Sequence, residues 1–384
     1  MSARRGRILR GVMAALLAGV AGVSDPAALA ARAQAASARP SPDQRLARIA
    51  ADVFAGQIDR LDANIAELKA ILAENPRSAQ AHALLGIAYR TKGSPDLMGE
   101  AAGELRQAID LDPSLIPARL YLAHLYLDLG RAERAREELQ AAIARLPDQP
   151  QLLGLLAETE RQLGKPDAAL DYATQSLKHD PASAEARYYQ GLALYDLKRR
   201  DEAIQAFEQV LQAGGRRPEV YESLGTAYLD AGRVDQAIAT LTEGVKLDVS
   251  RPEPMIALAR GYRLKGELTR ADAALAHVQS LVGGTAVSQA DQRVQRDLYL
   301  EDGLLRLKQA RLDVAARSLR KVVDLDPNYG PGYRYLAETY IRQGLYTRAQ
   351  DPATRAEKLG SPLPDDLQKT LQDKLRAGRP KGQG

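Results

Sequence analysis

The 384-residue chain has no cysteine and no tryptophan, only two phenylalanines and four histidines, and three asparagines (Asn64, Asn75 and Asn328). Without cysteine there is no disulfide framework, no thiolate nucleophile, no thiolate-bound zinc or iron–sulfur centre and no cysteine to carry an N-terminal lipid. The scarcity of large aromatics argues against one broad aromatic core, whereas sixteen tyrosines among abundant Ala and Leu point to thin helical layers. Catalytic signatures are missing as well: H-E-x-x-H, G-x-S-x-G, G-x-x-x-x-G-K-[ST] and G-x-G-x-x-G do not occur. His82, His124, His179 and His277 have unrelated sequence surroundings and read as surface or packing residues. The expectation is a protein that is not an enzyme, with no cofactor and no metal.

The formal net charge of +4 would suggest an anionic partner if it were spread along the chain. It is not. Residues 1–35 hold Arg4, Arg5, Arg7, Arg10 and Arg32 against Asp25 alone, and the remaining 48 basic and 48 acidic residues balance. No nucleic-acid partner is expected. The basic opening precedes an apolar run from Gly11 to Val23 and a small-residue stretch, ALAARAQAASA, with A-x-A cleavage sites after Ala30 or Ala35. This is the secretory pattern. Thirteen apolar residues fall short of the roughly 20 that span a bilayer. A cleaved signal over 1–35 is therefore preferred to an anchor and to an Arg-rich mitochondrial presequence. Arg4-Arg5 faintly matches a twin-arginine signal, but ordinary secretion is preferred. The expected location is the periplasm, with no transmembrane span in the mature chain.

Internal repetition organises the rest. Gly86, Ala123, Ala157, Gly191, Gly225 and Ala259 stand 37, 34, 34, 34 and 34 residues apart; Gly303 follows after 44 and Ala337 after another 34. The two irregular spacings are 34 with insertions of three and ten residues. A second small residue follows twelve places later in seven units, from Ala135 to Ala349, and at Ala101 in the first once its insertion is allowed for. Five units place Tyr three residues after the first small residue (Tyr89, Tyr126, Tyr228, Tyr262, Tyr340), while Glu160, Leu194 and Arg306 are exceptions. Six place Gly four residues further on (Gly93, Gly130, Gly164, Gly232, Gly266, Gly344), where a helix ends in the left-handed region.

Eight units in one register closely resemble the tetratricopeptide repeat family over residues 79–360. The resemblance implies an all-α, right-handed solenoid of antiparallel helix pairs, with small residues where helices cross and each pair burying its apolar face against the next. Residues 36–44 read as a linker and 45–78 as a degenerate pair, because Asp52 stands where its small residue belongs. Six units fill 79–285 and two fill 296–360, separated by an insertion at 286–295. The stretch Leu281–Gln295, with Gly283-Gly284 in place of a proline turn, is the expected break. Pro352 falls within the last second helix, which Asp351 as N-cap would shorten. Leu363, Leu367, Leu371 and Leu375 mark a capping helix over 361–377, and 378–384 reads as a disordered tail. The tetrapeptide Asp-Leu-Asp-Pro at 110–113 and 324–327 falls at the close of second helices. It reads as a stop signal, with the first Asp exposed and the second holding the turn, rather than as paired carboxylates.

The resemblance further implies that first helices line a concave surface that binds an extended or helical peptide. Candidate contacts are Tyr188, Leu192, Tyr195, Glu222 and Leu229 in an acidic middle stretch, and Arg260, Arg263, Lys308, Arg334 and Arg342 in a more basic C-terminal one. The clamp with which some members grip acidic chaperone tails is not expected, since Ala83, Ile87, Leu120 and His124 occupy comparable places. The expected function is a scaffold or adaptor for peptide or protein partners in a bacterial envelope assembly or secretion complex. The alternative is an accessory subunit binding glycan or peptide substrate for an enzyme or exporter.

Overall fold

The computed structural model describes residues 40–282 and 289–377. The expected signal over 1–35, Gly283 to Ser288 of the expected break and the tail 378–384 lie outside the described residues. Among the described residues there are nineteen α-helices and no strand. The chain divides into two compact units, 1–199 and 200–384. The first contains α1 (Pro42–Phe54), α2 (Leu61–Glu74), α3 (Ala79–Lys92), α4 (Met98–Leu111), α5 (Ile116–Asp128), α6 (Ala132–Ile143), α7 (Pro150–Gln162), α8 (Pro166–His179) and α9 (Ala184–Asp196). The second contains α10 (Arg200–Gln212), α11 (Pro218–Asp230), α12 (Val234–Leu247), α13 (Pro252–Lys265), α14 (Leu268–Val282), α15 (Gln289–Lys308), α16 (Leu312–Leu325), α17 (Gly330–Arg342), α18 (Tyr346–Lys358) and α19 (Asp365–Ala377).

Within each unit the small residues stand where helices meet. A Cβ on Gly86 would fall 2.7 Å from Leu105 Cγ, one on Gly225 2.4 Å from Leu241 Cγ, and one on Gly303 2.7 Å from Leu319 Cγ. The alanines of the second position, Ala101, Ala135, Ala169, Ala203, Ala237, Ala271, Ala315 and Ala349, are at most 1% exposed. The repeated spacing is thus a packing rule: two backbones approach where neither carries bulk, and Leu side chains fill the space beside them.

Three tyrosines after the first small residue, Tyr89, Tyr126 and Tyr228, lie against the preceding pair. Tyr126, 2% exposed, accepts from Arg106 Nε at 2.9 Å, and Tyr228 donates to Glu208. Burial and then the Glu208 contact push the Tyr228 hydroxyl up to about 12. These rings hold neighbouring pairs together rather than facing a ligand.

Every first helix of the eight units closes on a left-handed residue. Gly93, Gly130, Gly164, Gly232, Gly266 and Gly344 have φ between 67° and 87°. The two units lacking glycine make the same turn with Lys198 at φ 64° and Ala310 at φ 57°. Fold geometry therefore overrides residue preference there, at a cost of about 1 kcal/mol each. Second helices end as expected of Asp-Leu-Asp-Pro: Asp112 Oδ1 accepts from Ser114 N at 2.9 Å and Asp326 Oδ1 from Asn328 N at 3.1 Å. The preceding Asp110 and Asp324 are exposed.

Three places depart from the sequence expectation, and the degenerate first pair shows how it packs. Helix α1 begins at Pro42, inside the segment read as linker, because Ser41 and Gln44 form a reciprocal capping box. The first pair replaces two small residues by two polar ones in the same register. Asp52 and Asn64 are 6% and 1% exposed, with Asn64 Nδ2 3.5 Å from Asp52 Oδ2 and Arg60 Nη1 3.3 Å from Asp52 Oδ1. Most of the ten-residue insertion is helix, since α15 starts at Gln289 and runs 20 residues. Helix α18 is not shortened at Asp351: it continues from Tyr346 to Lys358 through Pro352. Proline lacks one helical donor, but Ala349, Pro352, Ala353 and Ala356 are all buried on one face, and that packing offsets the lost bond. The three-residue insertion of the first unit is taken up by a single 3₁₀ turn, Pro95–Leu97.

Beyond α18, Leu363 and Leu371 of the capping segment are 5% and 4% exposed and pack with Leu336, Ala353 and neighbours, flanked by Leu367 and Leu375. No helix of the described residues is long and apolar enough to cross a membrane.

Candidate functional site

The second unit has a cleft of about 660 Å³ between α13, α15 and α17, bordered by the Gly360–Pro362 segment. Its position follows from the repeat: α13, α15 and α17 are successive first helices, and the chain leaving α18 packs onto the start of α17. That approach is tight. A Cβ on Gly330 would lie 2.7 Å from Ser361 Oγ and 3.0 Å from Leu359 O. The extra turns of α15 come from the insertion, and its C-terminal half contributes Leu300, Glu301 and Leu304 to the cleft.

Three of the predicted residues meet here: Arg260 and Arg263 from α13 and Arg334 from α17. They differ in pairing. Arg263 Nη2 lies 2.9 Å from Glu301 Oε2, with both side chains largely buried, and Arg260 Nη2 lies 2.7 Å from Asp230 Oδ1. Burial raises the Glu301 carboxyl above its usual range, opposed by the charges of Arg263 and Arg260. Arg334 stacks on the Tyr335 ring, 4.5 Å from its centroid, and among the described residues it forms no ion pair. Tyr329, at the mouth, lies under Arg296 at 4.4 Å, and Arg296 in turn pairs with Asp297 and Asp326.

The other predicted contacts are placed differently. Tyr188 is 7% exposed and its ring packs beside Tyr189, with centroids 6.0 Å apart; Leu229 is 5% exposed. Leu192 and Tyr195 are half-buried on α9. Glu222 sits beside Arg251, which holds Glu219 and lies 3.3 Å from Glu222 and 3.6 Å from Glu253. Burial, reinforced by Glu253 and Glu219 and opposed by Arg251 and Arg293, pushes Glu222 up to about 7. Lys308 is exposed at the end of α15, and Arg342 pairs with Glu338 one turn earlier at 2.6 Å, so neither lines the cleft. The acidic stretch and the arginine stretch therefore neutralise each other in part, through Glu222–Arg251 and Asp230–Arg260. The residues that sequence reasoning missed are Glu301 and the tyrosines Tyr329 and Tyr335. The 34-residue register carries no signal for them, since it aligns Arg263 with Leu307 and Glu301 with Ala257; only the packed helices bring Glu301 to Arg263.

The first unit has a small hollow of about 40 Å³, lined by Leu120, His124, Leu155, Asp180, Glu185 and Tyr189 among others. Among the described residues no group of three His, Asp or Glu could hold a metal. His82 lies between Glu104 at 2.6 Å and Pro76 O at 3.1 Å, as a packing residue would.

Comparison with known proteins agrees with the helix-pair geometry. Two tetratricopeptide repeat models match, one over residues 155–218 and 300–364 and the other over 98–159 and 194–260. The chain belongs to the tetratricopeptide repeat family. It is 28% identical over 140 residues to the Vi polysaccharide export protein VexE of Salmonella typhi, a match that takes in 36% of this chain and 21% of that protein. The chain thus spans about a fifth of the curated relative it matches. In solved structures it is similar to the anaphase-promoting complex hetero-tetramer Cut9-Hcn1, with a TM-score of 0.63, 15% identity, and coverage of 87% of this chain and 63% of that one. It is also similar to a tetratricopeptide repeat protein from Parabacteroides merdae, with a TM-score of 0.53, 16% identity, and coverage of 68% and 98%. At such identities these structures establish the shared fold.

Proposed function

We propose that this chain is a non-enzymatic adaptor that binds peptide or protein partners along the inner faces of its first helices, within a cell-envelope assembly or secretion complex. The family supports an interaction scaffold. The observation that carries the reading further is the cleft lined by Arg260, Arg263 and Arg334, where aliphatic and cationic side chains converge with room for several residues of a partner. The secretory pattern of residues 1–35 and the export role in the relative's name support an envelope setting. Crosslinking and affinity capture from an envelope fraction, with N-terminal sequencing of the same preparation, tests the proposal. Specific protein partners and an N-terminus near residue 31 or 36 are expected; a retained Met1 and no specific partner contradict it.

A second reading has two observations in its favour. A relative named for polysaccharide export, together with Tyr329 and Tyr335 beside the arginines, suits an accessory subunit that presents glycan or peptide substrate to an exporter or enzyme. Binding on a glycan array with no captured protein would select it.

A further inference from the structure

The charged residues of the cleft are not equivalent, and the difference defines what it accepts. Arg263 is committed to Glu301 and Arg260 to Asp230. A ligand carboxylate at either would meet a charge that is already offset, and at Arg263 the offsetting carboxylate is buried. Arg334 is half-buried, lies over the Tyr335 ring with Cζ 4.5 Å from its centroid, and has no ion pair among the described residues. A guanidinium held beside a ring with no carboxylate partner has donors for a planar anion, which it can meet in bidentate fashion. Beside it, Leu300 and Leu304 of α15 offer aliphatic surface one helical turn apart. The cleft therefore has one anion position with apolar surface next to it.

Resting on the adaptor reading, we infer that the second-unit cleft recognises an acidic peptide segment, with one Asp or Glu carboxylate on Arg334 and its aliphatic neighbours against Leu300 and Leu304. Charge complementarity selects this occupant. With Asp230 and Glu301 already answering Arg260 and Arg263, the residual positive charge is centred on Arg334. A basic segment meets that charge unfavourably, and a purely apolar one leaves the guanidinium without a partner.

Fluorescence anisotropy of labelled hexapeptides of alternating Leu and Glu, with alternating Leu and Gln as reference, tests this on the full chain. The Leu/Glu peptide should bind roughly tenfold or more tightly than Leu/Gln, and added salt should weaken only the former. Arg334→Glu should remove that preference and Arg334→Lys should restore part of it. Arg342→Glu, on an exposed residue outside the cleft, should change nothing, and circular dichroism should verify that each variant is folded. Equal binding of the two peptides overturns the inference, as does Leu/Glu binding that Arg334→Glu leaves unchanged. Binding of an acidic oligosaccharide such as oligogalacturonate in place of the peptide also overturns it. Those failures are distinguishable from failure of the adaptor reading, because partners captured from an envelope fraction would still be recovered with the Arg334→Glu chain.

Discussion

The two compact units use one helix-pair plan to make different inner surfaces. A hollow of about 40 Å³ in the first combines Leu120 and Leu155 with Asp180, Ser183 and Glu185; a cleft of about 660 Å³ in the second has three arginines and a buried ion pair. Packing positions do not explain the contrast, because Gly86 against Leu105 and Gly225 against Leu241 make the same close approach in each. It comes from the free positions of the first helices and from one addition, the segment that folds back after α18. The repeat sets the framework, and the residues it leaves unconstrained set the chemistry.

Removing a charge should separate the units most strongly. Arg263→Ala strands Glu301 in a buried place and should destabilise the second unit by about 3–5 kcal/mol, read as lost hydrogen-exchange protection in α13 and α15. Arg90→Ala in the first unit breaks a pair whose Asp128 is exposed and should cost about 1 kcal/mol or less. Similar losses from both variants would mean that the Arg263–Glu301 pair is as well solvated as the other.

The shared framework should fail alike in both units. Gly86→Val and Gly225→Val each force a side chain into a leucine already in contact and should cost about 2–3 kcal/mol by urea denaturation. A tolerated change at either position would break the parallel.

A smaller effect distinguishes the second unit by pH. A Glu222 carboxyl raised from 4.5 to about 7 in the folded chain holds a proton there that the unfolded chain releases. Its favourable contribution is present below pH 4.5 and is lost as pH rises through 7, where Glu222 ionises among Arg251, Glu219, Glu253 and Arg293. Glu222→Gln should therefore raise stability at pH 8 by on the order of 1 kcal/mol and leave it unchanged at pH 4. Thermal unfolding at the two values checks this, and equal shifts at both would contradict it.

The smallest effect should be common to the units. Lys198→Gly and Ala310→Gly relieve non-glycine residues held at φ 64° and 57° and should stabilise by about 0.5–1 kcal/mol each. Lower melting temperatures would show that their side chains contribute more than the backbone loses.

These contrasts also mark what was legible in the sequence. The 34-residue ruler, the small residues, the glycine turns and the Asx turns of Asp112 and Asp326 could be read because each is a local requirement repeated in register. Lys198 and Ala310 could be placed by register but not by residue type, since the preceding helix and the following one impose the turn. Helix α18 passes through Pro352 because a buried face outweighs a local rule. The site was half legible. Arg260, Arg263 and Arg334, read from the register as facing one way, line one cleft. Which of them is neutralised depends on side chains 30 to 38 residues away, Asp230 and Glu301, whose juxtaposition only the packed helices supply. Tyr188 and Leu229 look like contact residues by spacing, yet the packed helices leave them 7% and 5% exposed.

The claim that the second unit's cleft is where a partner docks is tested most directly by a photo-crosslinking amino acid at two exposed rim positions, Pro362 beside that cleft and Gln151 beside the first unit's hollow. In an envelope fraction the account predicts a specific adduct from position 362 that Arg334→Glu abolishes, and none from 151. An adduct from 151 alone, or one from 362 that survives Arg334→Glu, would contradict it.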